Sequence, residues 1–416
     1  MSIRLAAWFA AASLASGCSL ILNTDDLPAR SDGPPGQIDA GLPDSMLPDA
    51  NPADLNIESA DPVDLDEGMG TGNGRPAVVA LYVPNIVLAA TVEVTWADTS
   101  EVVVPDQVVI SGTRRFVGLV LTLPIDNTRA EGTVRDLRVT ISQVGVSDDI
   151  LLHVHGHDEL TLTGDLDTDS TTDLYDPAEK YSTVIVTGPV VAHGETPVVL
   201  QAFGGITVNG NLDASAVGLA TTGRPGPHGC VGGAGTLPAP CQPAGGGAPA
   251  AGLLTGAGGG GGGYGAVGSP GGGGGGDGGD EEGNQMLVPI ISIDPSGPGN
   301  RGHGGGGGGT TAVGGGGPGG NGGGVVMVSA GGDVTVGAGV QIQANGSAGG
   351  AGGAGGAGGS GSGGAIMVRA GGAVVATGNW LRATPGGVTG NGGAGGNGRI
   401  RVDTSMGGVG AMGTPA

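Results

Sequence analysis

Aromatic side chains are nearly missing from this chain: three Phe, four Tyr and three Trp in 416 residues. A groove that stacks sugar rings on aromatic faces is therefore not to be expected. Lysine is rarer still, with Lys180 the only one. Basic residues number 15 against 38 acidic ones, and the formal net charge of −23 opposes nucleic acid and anionic membrane surfaces, both of which would repel it. Cysteine is limited to Cys18, Cys230 and Cys241, with no CxxC or CxxH spacing to suggest structural zinc. No Ser/His/Asp spacing, phosphate loop or nucleophile elbow is found. The many GxGxxG matches carry no information, because consecutive glycines satisfy that pattern trivially. Catalysis has no foothold in the sequence.

What is abundant is glycine, 97 residues with 27 prolines, and it is clustered. Between the clusters lie segments rich in Val, Ile and Leu. Three of them nearly repeat: VVLQAFGGITVNGNLDASAVG from Val198, VVMVSAGGDVTVGAGVQIQANG from Val325 and AIMVRAGGAVVATGNWLRATPGG from Ala365. Each is an apolar alternation, a Gly-Gly corner, a second alternating run and a short third run. A fourth, RIRVDTSMGG from Arg399, begins and fades. The copies start 127 and then 40 residues apart, so the rung is regular and the insertions are not. One rung cannot bury its apolar face alone, whereas stacked rungs can. The expectation for 181–405 is a parallel β-helix or solenoid in which Val326, Val328, Ile366, Val368, Ile400 and Val402 form an internal ladder. Its dispersed charges, Asp213, Asp333, Arg369, Arg382 and Asp403, read as one per rung at unrelated positions. The glycine tracts at 256–283, 302–324, 347–364 and 386–398 read by default as flexible loop insertions, since glycine loses the most entropy on ordering, while composition leaves open their packing as parallel polyglycine II strands. They resemble the Gly-Gly-Ala/Gly-Gly-Asn repeats of PGRS-type proteins.

Residues 75–163 contain PAVVALYV, TVEVTW, VVVPDQVVIS, RFVGLVLTLPI, VRDLRVTIS and ILLHVHGHDELTLT, short alternating runs at the spacing of an antiparallel β-sandwich. Within them VVISGTRRF resembles the G-x-x-F corner of the IPT/TIG branch of immunoglobulin-like domains. The fold class expected is all-β: an N-terminal Ig-like sandwich followed by the glycine-rich β-helix.

The first eighteen residues are MSIRLAAWFAAASLASGC. Arg4 precedes an apolar run at 5–15, too short for a membrane span. Small residues 15–17 then lead into Cys18. This resembles the lipobox of bacterial lipoproteins, with Ala15 where Leu is commonest. The resemblance implies a signal peptide at 1–17, lipidation of Cys18, and, since Ser19 follows rather than Asp, a place on the outer membrane or cell surface. More than one acyl chain makes such an anchor stable. Residues 18–74 read as an acidic Pro/Asp-rich disordered tether, and 406–416 as a disordered tail.

Two groups are candidates for metal. DLDTDSTTDLYD in the segment 164–180 sets Asp165, Asp167, Asp169, Asp173 and Asp176 at the spacing of a calcium loop, without its central Gly or final Glu. A solvated acidic linker is the preferred reading. His153, His155 and His157 alternate along a strand and offer three imidazoles for zinc, against an exposed strand face, again preferred. In an oxidising compartment Cys230 and Cys241 form a candidate disulfide. No cofactor other than calcium is suggested. The function expected is that of a lipid-anchored cell-surface protein, structural or adhesive and without catalytic activity, whose partners are the membrane and a surface glycan or protein. A carbohydrate-binding or carbohydrate-active β-helix protein is the alternative.

Overall fold

The computed structural model describes residues 55–71, 75–111, 115–126, 132–170, 175–234, 237–239, 257–281, 287, 302–309 and 314–405. Among them the regular structure is all β, with twenty strands and no helix.

Two four-stranded sheets enclose the first core. One has the order β1 (Ser59–Asp61), β3 (Ala77–Tyr82), β6 (Phe116–Leu121), β5 (Gln107–Ser111); the other has β2 (Asp64–Asp66), β8 (Val146–His155), β7 (Val134–Gln143), β4 (Thr91–Trp96). Alternation drives both: AVVALY in β3 buries every second residue, and Val79, Leu81, Leu119, Leu121, Val139 and Leu152 meet in one cluster. The tether expected to run to residue 74 therefore ends earlier. Ile57 and Leu65 are buried in this core, enough apolar surface to hold two three-residue strands, one on each sheet. Nor do residues 164–167 belong to a linker. They close β9 (Leu160–Asp167), which pairs in parallel with β10 (Val184–His193).

β10 leads into the repeats. Its first half pairs with β12 (Ile206–Val208) and its second half with β13 (Leu212–Asp213). The three sequence copies become three coils: β11 (Val198–Ala202), β12 and β13; β14 (Val325–Ala330), β15 (Val334–Val336) and β16 (Ile342–Gln343); β17 (Ala365–Ala370), β18 (Val374–Val375) and β19 (Leu381–Arg382). β20 (Arg399–Thr404) pairs onto β17. Every pairing between coils is parallel and in the repeat's own register: Val198↔Val326↔Ile366↔Ile400 and Leu200↔Val328↔Val368↔Val402 on the first strand, Ile206↔Val334↔Val374 on the second, Leu212↔Ile342↔Leu381 on the third. These residues fill the second core, where most are inaccessible to water.

The glycine tracts overturn the expectation of flexible loops. Gly258–Gly263 and Gly302–Gly309 are buried. In the segment 257–262 the amides of Gly258 and Gly261 donate to the carbonyls of Gly272 and Ser269, and those of Gly259 and Gly262 to Ala357 and Ser360. Its carbonyls accept from Gly276 and Gly279, from Gly393 and Gly396, and from Gly309 and Gly306. Each neighbouring segment is engaged twice, three residues apart, so one threefold strand is bonded sideways to five others. That is the geometry of polyglycine II, a polyproline-II-type strand with no internal hydrogen bonds and all its polar groups turned outward. Glycine is required by close approach: a Cβ on any residue from Gly258 to Gly263 would overlap a neighbouring backbone carbonyl. The lattice is joined to the coils through Tyr264 and Leu287, which are fully buried against Val325, Ala365 and Met367 on the outward side of β14 and β17.

Candidate functional site

The three histidines of HVHGH each take a separate carboxylate. His153 Nδ1 lies 2.8 Å from Asp136, its cross-strand partner on β7; His155 Nε2 lies 3.2 Å from Asp64, and His157 Nε2 2.9 Å from Asp66, both on β2. The parallel pairing of β2 with β8 sets Asp64 and Asp66 opposite His153 and His155 and produces this zipper. It fastens the short strand to the sheet and does not gather three imidazoles on one point. His157 also tilts against Phe203 at 4.3 Å between ring centroids, while the Lys180 ammonium sits 3.7 Å from that ring. Burial lowers the Lys180 pKa, opposed by Asp66 nearby. Two of the scarcest residue types thus meet where the two cores adjoin, an arrangement worth about 0.5–2 kcal/mol.

The acidic segment is likewise divided. Asp165 and Asp167 share the solvent face of β9, with His193 at 3.0 and 3.8 Å. Asp169 accepts the amides of Glu195 and Thr196 at 2.6 and 2.9 Å, closing a corner. Asp176 accepts the amide of Ala178. Asp173 lies outside the described residues. Among those described, no group of three or more His, Cys, Asp or Glu is placed to hold a metal ion. Because Asp169 is taken up by two backbone amides and Asp165 and Asp167 lie beside His193, millimolar calcium should leave the melting temperature within about 1 °C, a ligand stabilising only through a site in the folded state. A rise of several degrees that Asp165→Ala removes would restore the calcium loop.

Cys18 and Cys241 also lie outside the described residues; Cys230 is fully buried and disulfide-bonded. Tyr175 is buried at the base of the coils, where its hydroxyl accepts the amide of Val199 at 2.8 Å, and burial pushes its pKa up to about 12. It is a structural phenol.

Four of the five charges noted on the coils fall into two rows, and Asp333 stands in neither. Register aligns Asp213, Gln343 and Arg382 in one row, and Gln201, Ser329, Arg369 and Asp403 in another. Ser329, Arg369 and Asp403 of the second row border a cleft of about 410 Å³ completed by Arg75, Thr404 and Ser405. Arg75 reaches it because its amide donates to Gly331 O at the Gly-Gly corner of the second coil. The repeat alignment could have revealed the Ser329–Arg369–Asp403 row; the contribution of Arg75 from the other core could not be read that way. No known protein family, characterised protein or solved structure matches the chain.

Proposed function

We propose that the chain is a lipid-anchored bacterial surface protein, structural or adhesive and not catalytic, held at the outer membrane through Cys18. We read its two facing sheets as an Ig-like sandwich and its stacked coils as a parallel β-helix. The observation that carries the proposal is the glycine lattice: a large share of the described chain is spent on packed backbone, in which few side chains are buried, among them Tyr264, His303, Asn321, Ser360 and Ser362. Such a body supplies shape and rigidity. The sequence at the N-terminus supplies the attachment, by its resemblance to a lipobox.

In a Gram-negative host, a palmitate analogue should tag the full chain, and protease applied to intact cells should reach it. Cys18→Ser should lose the tag and accumulate as unprocessed precursor. Persistent labelling of Cys18→Ser would sink the anchor. A second reading, carbohydrate binding, is favoured by one specific feature, the arginine-bordered cleft on the coils.

A further inference from the structure

We propose that the cleft between Arg75 and Arg369 binds a hexuronate-bearing oligosaccharide, a ligand with one carboxylate per ring on an otherwise neutral, hydroxyl-rich frame. The inference rests on the adhesive reading above but not on the lipid anchor. Two guanidinium groups line the cleft against one carboxylate, Asp403. That carboxylate is already engaged by Arg401 at 2.9 Å, while its approach to Arg369 is 3.9 Å. Among the described residues no ion pair holds the Arg75 side chain. Elsewhere the described arginines are mostly matched, as in Arg135–Asp98, Arg138–Asp149 and Arg399–Glu281. In a chain of net charge −23 this is a local excess of positive charge.

The rest of the lining selects the frame. Ser329, Thr404 and Ser405 bring hydroxyls beside the Gly331 and Gly371 corners. The Ser405 hydroxyl donates to Gly371 O, leaving its lone pairs to accept from a sugar hydroxyl. A planar fork suits a carboxylate, which it can grip through two parallel hydrogen bonds. The overall charge selects against dense polyanions. A field from −23 reaches through about one Debye length, roughly 8 Å at physiological salt, and repels a polyphosphate or heavily sulfated chain more than a sparsely charged one.

The test is calorimetric titration of the full chain in detergent with tri-galacturonate, the neutral galactose trimer, acetate and a triglutamate peptide. Tri-galacturonate should bind at least tenfold more tightly than the other three. Arg75→Gln and Arg369→Gln should each weaken it about fivefold or more; both side chains are exposed, and unchanged melting of the variants confirms that they fold. Equal binding of the neutral trimer would overturn the arginine assignment. Equal binding of acetate would leave an anion hole only and overturn the sugar assignment, and tighter binding of triglutamate would replace it with an acidic peptide. Absence of binding by all four would remove the site while leaving the labelling of Cys18 untouched.

Discussion

Ile366→Asp should abolish the cooperative unfolding of the coils. Ile366 is fully buried and stands in register between Val326 and Ile400. The substitution removes a buried aliphatic side chain, about 2–4 kcal/mol, and puts an unpaired carboxylate in its place, which adds several more. Together these approach the whole stability of an ordinary domain, about 5–15 kcal/mol. Because each coil is held chiefly by its neighbours, loss at one should spread to those beside it. Val375→Asp is the matched control. It lies on β18 of the same coil but is 53% exposed, so its carboxylate stays in water and stability should change by less than about 1 kcal/mol. Limited proteolysis separates the two: rapid cleavage within 325–405 for the first variant, a wild-type pattern for the second.

The second large effect has opposite signs at two glycines. Gly259→Ala places a Cβ onto the carbonyl oxygen of Gly306 and within 2.6 Å of that of Gly307. Both obstacles are backbone and cannot swing aside, and Gly306 is itself bonded through its amide to Gly260 and through its carbonyl to Gly359. The cost should be about 3 kcal/mol or more, the upper range for overpacking. Gly353→Ala meets nothing within 4 Å, so restricting the unfolded chain should make it neutral or more stable by about 0.5 kcal/mol. Differential scanning calorimetry reads both. Gly355, which as a loop residue should accept aspartate freely, belongs with the first kind, since a Cβ there comes within 2.6 Å of the carbonyl of Gly315.

These two substitutions mark the border of what can be read from the residues. The ladder was legible because Val326, Val328, Ile366 and Val368 carry a period of two that only strands satisfy, and pairing follows the repeat residue by residue. The lattice was not, because polyglycine has no side-chain pattern to read. A tract such as GGAGGAGGAGGS has the same composition whether it is loose or packed. Lateral hydrogen bonds, each worth about 0.5–1.5 kcal/mol, set against an ordering cost of about 1–2 kcal/mol per residue, leave a balance that clamping the tracts between rungs can tip.

At the N-terminal end of the fold, acidic and proline-rich composition masked β1 and β2. Yet D-L-D at 64–66 and H-V-H at 153–155 share a period of two with opposite charge preferences, and that complementarity was the signal for the zipper. Of the three histidines read as one strand face, His153 and His155 lie on β8 and His157 falls beyond its end, and the alternation said nothing of their carboxylate partners. The cleft needed Arg75 of one core and Arg369 of the other, whose meeting depends on how the Gly331 corner receives the chain.

Amide hydrogen exchange of the glycine tracts tests the central claim most directly. If the tracts form a hydrogen-bonded lattice, Gly259, Gly262, Gly306, Gly359 and Gly393 should be protected to the degree of Val326 and Val328, opening only with the coils they join. Exchange of these five amides at the rate of an unstructured chain, with the valines still protected, would show the tracts to be loose loops and contradict the account.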